Sequence, residues 1–347
     1  MGNTGGKTTN SFVDAGSNYP QTRTMDGNNV HLIITALDYK NTENPLTCTK
    51  DGNNIQKLAA ACGLQNIEVM YDEECTTENV VAKIQSIGSQ CQQDDFFIFY
   101  YSGHGTNMQD QSGDEEDGQD EAFCFVTPDG QISYESCMRD DDFSKCICES
   151  VPEATQILIL TDCCHSGTIA DLDGEQWAGR KAISIAGCLD SQTSGDMGRG
   201  GIFTHSMLMA IDNLKRSNER EYSVGALYNA TLVEDKRIFN SAQDITIQCT
   251  SSVKPDEMQW PMTPVERYQA PLSQAAEAAQ QGDTSAPAAG LQDNAELCDA
   301  LGISPQTLQF LTDTGINALP EDYQNQIKPF VGPCFQIITY LVQQICK

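Results

Sequence analysis

The chain has 347 residues, enough for one large domain and a small one, and its 39% apolar content supports a sizeable core. It carries 49 acidic against 20 basic residues, a formal net charge of -29. Such a surface repels phosphate backbones and anionic lipids, so no nucleic acid and no membrane is expected as partner, whereas metal cations and Lys/Arg-rich proteins are favoured. The 15 cysteines are odd in number and irregularly spaced, and residues 1–30 hold no apolar signal core; reduced thiols and a cytoplasmic protein are the expectation.

In chain order, residues 1–28 read as a flexible leader, in which Gly6 stands where a myristoylation signal wants Ser or Thr. A strand is predicted at His31–Leu37. Ile55, Leu58, Ala59 and Cys62 share a face of a helix over Asn53–Cys62. A strand at Ile67–Tyr71, a helix at Thr77–Ile87 capped by Thr76 or Thr77, and a strand at Asp95–Tyr101 follow. An acidic loop, Asp110–Glu121, precedes a short strand at Ala122–Val126 and the turn at Pro128 to Gly130. Ile157–Thr161 and Lys181–Ala186 read as parallel strands, Ile202–Lys215 and Val224–Val233 as helices, and Ile245–Cys249 as a last strand. This alternation predicts an α/β fold, a mostly parallel sheet with helices on both faces. Composition changes near residue 265: an Ala/Gln/Ser/Pro-rich linker over 265–292 leads to a small helical C-terminal extension over 293–347. No apolar run is long enough to span a bilayer.

Two stretches carry the chemistry. Phe96 to Gly105 and Ile157 to Gly167 are apolar, strand-like runs that end abruptly in small and polar residues, the first delivering His104 and the second Cys163 and Cys164. Ligands bind at the carboxyl ends of strands in open α/β sheets. Neighbouring strands ending this way would set a base beside a thiol, as a cysteine nucleophile requires. Adjacent residues on a strand point to opposite faces, so only one of the two thiols should face the base. Gly103 and Gly105 free the backbone for close approach of a substrate, and the N–H groups of Gly105 and Cys164 are candidate oxyanion donors. His165 is a rival base whose side chain should point away from that of Cys164.

These two blocks resemble the histidine and cysteine blocks of the metacaspases, caspase-like cysteine peptidases, in which the second cysteine of the pair is the nucleophile. Gly113 to Glu121 resembles the family's acidic loop, and Ile183 to Ser194 with Gly200 to Thr204 the start of its small subunit. The likeness covers residues 30–264, in large-then-small order, and implies a caspase-like peptidase domain over 29–264, divided near residue 179. It implies a monomeric, Cys-His endopeptidase cleaving after Arg or Lys, with a pocket of Cys48, Asp51, Ser102 and Asp162. Two carboxylates suit a guanidinium, although Asp51 is equally suited to cap a helix beginning near Gly52. The resemblance also implies activation by Ca2+. Asp120 and Asp171 match two of the family's carboxylate ligands, while Tyr134 and Glu135 stand in place of a pair of aspartates, leaving Asp120, Glu135 and Asp171 as the metal set. Self-processing is a further implication, with Arg180-Lys181, Lys215-Arg216 and Lys236-Arg237 as candidate sites and the last pair favoured because Glu234–Asn240 reads as a polar loop. Two other readings stay open: an inactive caspase-like scaffold, and an α/β protein whose cysteines sense redox state.

Overall fold

The computed structural model describes residues 8–9, 27–110, 118–164, 166–189, 200–217, 221–239, 241, 243–265 and 268–271. The predicted C-terminal extension, most of the linker and nearly all of the leader lie outside these residues, as does His165.

The sheet is built from β1 (Thr8–Thr9), β2 (Val30–Ala36), β3 (Asn66–Tyr71), β4 (Phe96–Ser102), β8 (Gln156–Asp162), β9 (Lys181–Ala186) and β10 (Thr246–Cys249). Their spatial order is β1-β10-β9-β8-β4-β2-β3. The five strands from β9 to β3 pair in parallel, and β10 and β1 add antiparallel to the β9 edge. A second, antiparallel sheet joins β5 (Gly105–Gln109), β6 (Gln119–Cys124) and β7 (Cys137–Arg139).

β4 shows why an unbroken apolar run makes a central strand. All seven of its residues are buried. Phe96, Ile98 and Tyr100 enter a core beneath α1 (Cys48–Ala61), α4 (Ile202–Arg216) and α5 (Val224–Glu234). Phe97, Phe99 and Tyr101 enter the opposite core, closed by α2 (Thr77–Gly88), α3 (Asp140–Ser150) and the small sheet. Alternate side chains thus feed two cores from one strand. Among the described residues, no helix is long and apolar enough to cross a membrane. Past residue 264, Ala270 is still buried and Tyr268 packs against the same core, so the first residues read as linker lie on the domain.

Local signals placed most elements of the large sheet, and three differences have physical causes. α1 begins at Cys48 rather than Asn53 because its first turn is held from elsewhere: the Asp38 carboxylate accepts from the Thr49 amide and hydroxyl, both at 2.7 Å. Helix α3 escaped the sequence reading because DDDFSKCICES offers few large apolar residues, yet Phe143 and Ile147 are fully buried. Glu234–Asn240 is not a loop through residue 239; α5 ends at Glu234 and a π-helical turn spans Asp235–Phe239, with Ile238 and Phe239 in the core. Lys236 and Arg237 therefore sit on helical backbone, which does not present an extended bond to a peptidase. The rival pairs are held as well. Arg180 donates to the Val151 and Cys148 carbonyls just before β9, and Lys215 and Arg216 close the last turn of α4.

Phe143 packs on Phe99 and Phe123 with ring centroids 4.9 and 4.8 Å apart. Phe143→Ala is expected to lower unfolding free energy by about 3–5 kcal/mol in urea titrations. A change below about 0.5 kcal/mol, that of an ordinary surface substitution, would contradict this packing.

Candidate active site

The parallel pairing of β4 with β8 sets the site. Ser102 is directly opposite Asp162, so His104 and Cys164 each follow two residues beyond matched strand ends. The Gly103 amide donates to the Asp162 carbonyl at 3.3 Å, tying the two exits together. The glycines beside His104 are required by the protein's own packing. A Cβ on Gly105 would overlap the Cys164 carbonyl oxygen, and one on Gly103 would meet the hydroxyls of Tyr39 and Tyr101 at 2.6 Å.

His104 is half-buried and fixed on several sides. Its Nε2 lies 2.7 Å from the Asn44 carbonyl. A carbonyl only accepts, so Nε2 carries the hydrogen and Nδ1 is the nitrogen left to take a proton. The ring packs on Tyr39, centroids 4.5 Å apart. The Tyr39 hydroxyl accepts from the His104 amide at 2.9 Å and donates to the Cys124 carbonyl at 2.7 Å. Tyr39 reaches this position with a φ of 54°, a left-handed conformation that side chains adopt at a cost of about 1–3 kcal/mol and that clusters at functional sites. Neither Asn44 nor Tyr39 was visible to the sequence reading, since each acts from a loop some sixty residues upstream of His104.

The two thiols separate as alternation requires. Cys163 is 1% exposed, and burial pushes its pKa well up; Cys164 is half-exposed. The Cys163 carbonyl accepts from the Ser166 hydroxyl at 2.9 Å and the Cys188 thiol at 3.2 Å, bracing the bend that carries Cys164. The Cys124 amide donates to the His104 carbonyl at 3.1 Å. Gly105 and Phe123 are then a non-hydrogen-bonded pair, and the Gly105 N–H points away from β6.

The four predicted pocket residues cluster at the same edge. Asp51 lies within the first turn of α1, whose N-cap is Thr47, so it is not the helix cap; the positive end of the helix still favours its charge. Its Oδ2 accepts from the Ser102 hydroxyl and the Gly201 amide, both at 2.9 Å. Asp162 Oδ2 accepts from the Thr204 amide at 2.9 Å and hydroxyl at 2.7 Å. Cys48 is buried one turn before Asp51. Both carboxylates are covered, 0% and 4% exposed, by the segment Gly200–Thr204 that opens α4. A Cβ on Gly200 or Gly201 would overlap Asp51 or Asp162, so only glycine lets this backbone lie so close. The sequence showed the Gly-Gly pair but not what it covers.

Of the acidic residues read as metal ligands, Glu135 is exposed on a short 3-10 turn, and a further carboxylate, Asp140, is buried at the start of α3. Asp140 Oδ2 accepts from the Glu121 amide at 3.1 Å. Burial first, then the charges of Asp120 and Asp141, raise Asp140 to about 7, against amide donors that lower it. Burial likewise raises Asp171 to about 7, with Asp173 and Asp140 adding to it. Asp120 is 1% exposed and lies 3.0 Å from Arg139 Nε. These hard oxygen donors suit calcium. Among the described residues, however, no three acidic, His or Cys side chains stand close enough to share one ion, and Arg139 already neutralises Asp120.

Beside His104 opens a cavity of about 650 Å³, walled by Asn44, Met108, Cys124, Ile132, Tyr134 and Cys137 among others. Asp51 and Asp162 do not line it.

Residues 30–173 match the family model described as metacaspase, peptidase C14 domain. Metacaspase-1 of Arabidopsis thaliana is 32% identical over 143 residues, 35% of this chain and 38% of that protein. Metacaspase-2 of the same plant is 28% identical over 243 residues, 60% of this chain and 57% of its own length. Metacaspase-2 of Trypanosoma brucei brucei is 32% identical over 146 residues, 36% and 41% of the two chains. The chain thus spans from little more than a third to somewhat over half of these relatives. A crystal structure of a Geobacter sulfurreducens protein superposes with a TM-score of 0.52 at 19% identity, covering 68% of this chain and 99% of that one; the likeness is one of fold. The mostly parallel sheet with helices on both faces is the α/β arrangement that the alternation of elements predicts.

Gly105→Ala is expected to push the Cys163–Cys164 bend away from His104, costing about 1–3 kcal/mol as an overpacked site does. Thermal unfolding together with the iodoacetamide alkylation rate of Cys164 checks this. A variant as stable and as reactive as the parent would show that the two segments do not touch.

Proposed function

We propose, from the metacaspase peptidase C14 domain matched over residues 30–173, that this chain is a cysteine endopeptidase in which Cys164 is the nucleophile and His104 the base. The observation that carries the reading is the in-register exit of β4 and β8, with Gly105 packed on the Cys164 carbonyl. His104 Nδ1 takes the thiol proton while Asn44 holds the ring through Nε2–H. The thiolate attacks the peptide carbonyl, and the oxyanion accepts from the Gly105 and Cys164 amides. The imidazolium then protonates the leaving amine as the C–N bond breaks, and water hydrolyses the thioester. The cavity on the His104 side is where the departing segment would lie.

Cleavage after Arg or Lys is the specificity that the site's charge favours. Asp51 and Asp162 share one edge with Ser102, and a guanidinium would replace the Gly201 and Thr204 donors that now serve them. In a fluorogenic Arg-peptide assay, Cys164→Ala and His104→Ala are expected to abolish turnover and Cys163→Ala to retain most of it. Asp51→Asn should lower kcat/KM by about 100-fold or more, as loss of a buried charge partner does. Turnover by Cys164→Ala, or a substrate profile preferring Asp before the cut bond, would overturn the reading.

Calcium would be held by Asp120, Asp140 and Asp171, once Arg139 turns away from Asp120. The cation would take the place of Arg139 at Asp120 and add positive charge beside Asp140 and Asp171. Melting curves with and without calcium chloride test the assignment. The parent and Glu135→Gln are expected to gain several degrees, and Asp140→Asn to gain none. A response lost with Glu135 rather than Asp140 would place Glu135 in the set instead.

A further inference from the structure

Cys124 ends β6, Cys137 opens β7, and the two are direct cross-strand partners. The pair type follows from the neighbouring strand. Because the Cys124 amide is spent on the His104 carbonyl of the β5 side, Cys124 faces Cys137 as a non-hydrogen-bonded pair. In such pairs the Cα atoms approach to about 4.5 Å and the side chains are closest. That spacing lies inside the range of about 4.4–6.8 Å that a disulfide spans. The two side chains are close enough to interact. Both line the cavity of about 650 Å³ beside His104, through which a small solute reaches them. Cys137 is the more exposed of the two, Cys124 being 4% exposed.

We propose that Cys124 and Cys137 form a peroxide-oxidised modification site that closes to a cross-strand disulfide. The Cys137 thiolate attacks one oxygen of the peroxide, the O–O bond breaks, and hydroxide leaves, taking up a proton as water. The product is a sulfenic acid at Cys137. The Cys124 sulfur then attacks the Cys137 sulfur; the S–S bond forms, the S–O bond breaks, and hydroxide leaves with the Cys124 proton as a second water. Two thiols lose two electrons to one peroxide. The bond forms one residue from the braces of His104, since Cys124 binds the His104 carbonyl directly and reaches its amide through Tyr39. The inference goes beyond the peptidase reading and does not require it.

The test uses the full chain carrying Cys164→Ala, so that the site thiol is not the reporter. The protein is treated with hydrogen peroxide, alkylated without reduction, cut with chymotrypsin after Phe125 and Tyr134, and mapped by mass spectrometry. The expected product is the Cys124 peptide joined to the Cys137 peptide, lighter by two hydrogens than their sum and separated by dithiothreitol. It is expected to vanish in Cys137→Ser, whose near-ultraviolet circular dichroism should match the parent. Cys137 recovered as sulfinic or sulfonic acid with Cys124 still alkylated, Cys124 joined to another cysteine, or both thiols alkylated after peroxide would each overturn the proposal.

Discussion

Everything at the site depends on one ladder, the parallel pairing of β4 with β8 in the register that sets Ser102 opposite Asp162. A one-residue slip would send alternate side chains to the wrong core and part His104 from Cys164 at the same time. Burial on both faces makes that slip costly. Phe97, Phe99 and Tyr101 fill one core while Phe96, Ile98 and Tyr100 fill the other; both sets are apolar, so it is the close-packed fit of each side chain, not polarity, that resists a shifted pairing. The chemistry is therefore positioned by hydrophobic burial, and the polar groups only refine it.

The refinement is a set of backbone contacts that join distant segments. Asn44 orients the His104 ring, Tyr39 bridges the His104 amide to the Cys124 carbonyl, and Gly105 abuts Cys164. On the other side, Gly201 and Thr204 satisfy Asp51 and Asp162. Two buried carboxylates at one edge are costly unless donors or cations meet them. The opening of α4 supplies donors in this state, and it is the element that a cationic side chain would have to displace.

The strand-borne part of the site was legible because its signal is local. A continuous apolar run ending in Ser-Gly-His-Gly, or in Asp-Cys-Cys-His-Ser-Gly, announces both the strand and the point where it stops. The same reading fixed β9 at Lys181–Ala186 to the residue. What it missed acts across long separations or through the main chain. Asn44 contributes a carbonyl, which any residue type carries, and Tyr39 lies in a loop with no periodicity. β5, Gly105–Gln109, pairs without alternating apolar residues and so looked like loop. Asp140 lies outside the predicted metal set, which follows position along the chain to Tyr134 and Glu135. Folding buries Asp140 at the start of the short helix α3, while Asp142 of the same acidic run stays exposed.

The central claim is that this register makes Cys164, and not its neighbour Cys163, the reactive thiol beside His104. Labelling with an Arg-bearing halomethyl ketone tests it most directly, because the reagent needs a recognised side chain, a base and a thiolate together. Intact-mass and peptide mapping are expected to find one adduct, on Cys164, lost in His104→Ala and retained in Cys163→Ala. An adduct on Cys163, or labelling of Cys164 that persists at full rate without His104, would contradict the account.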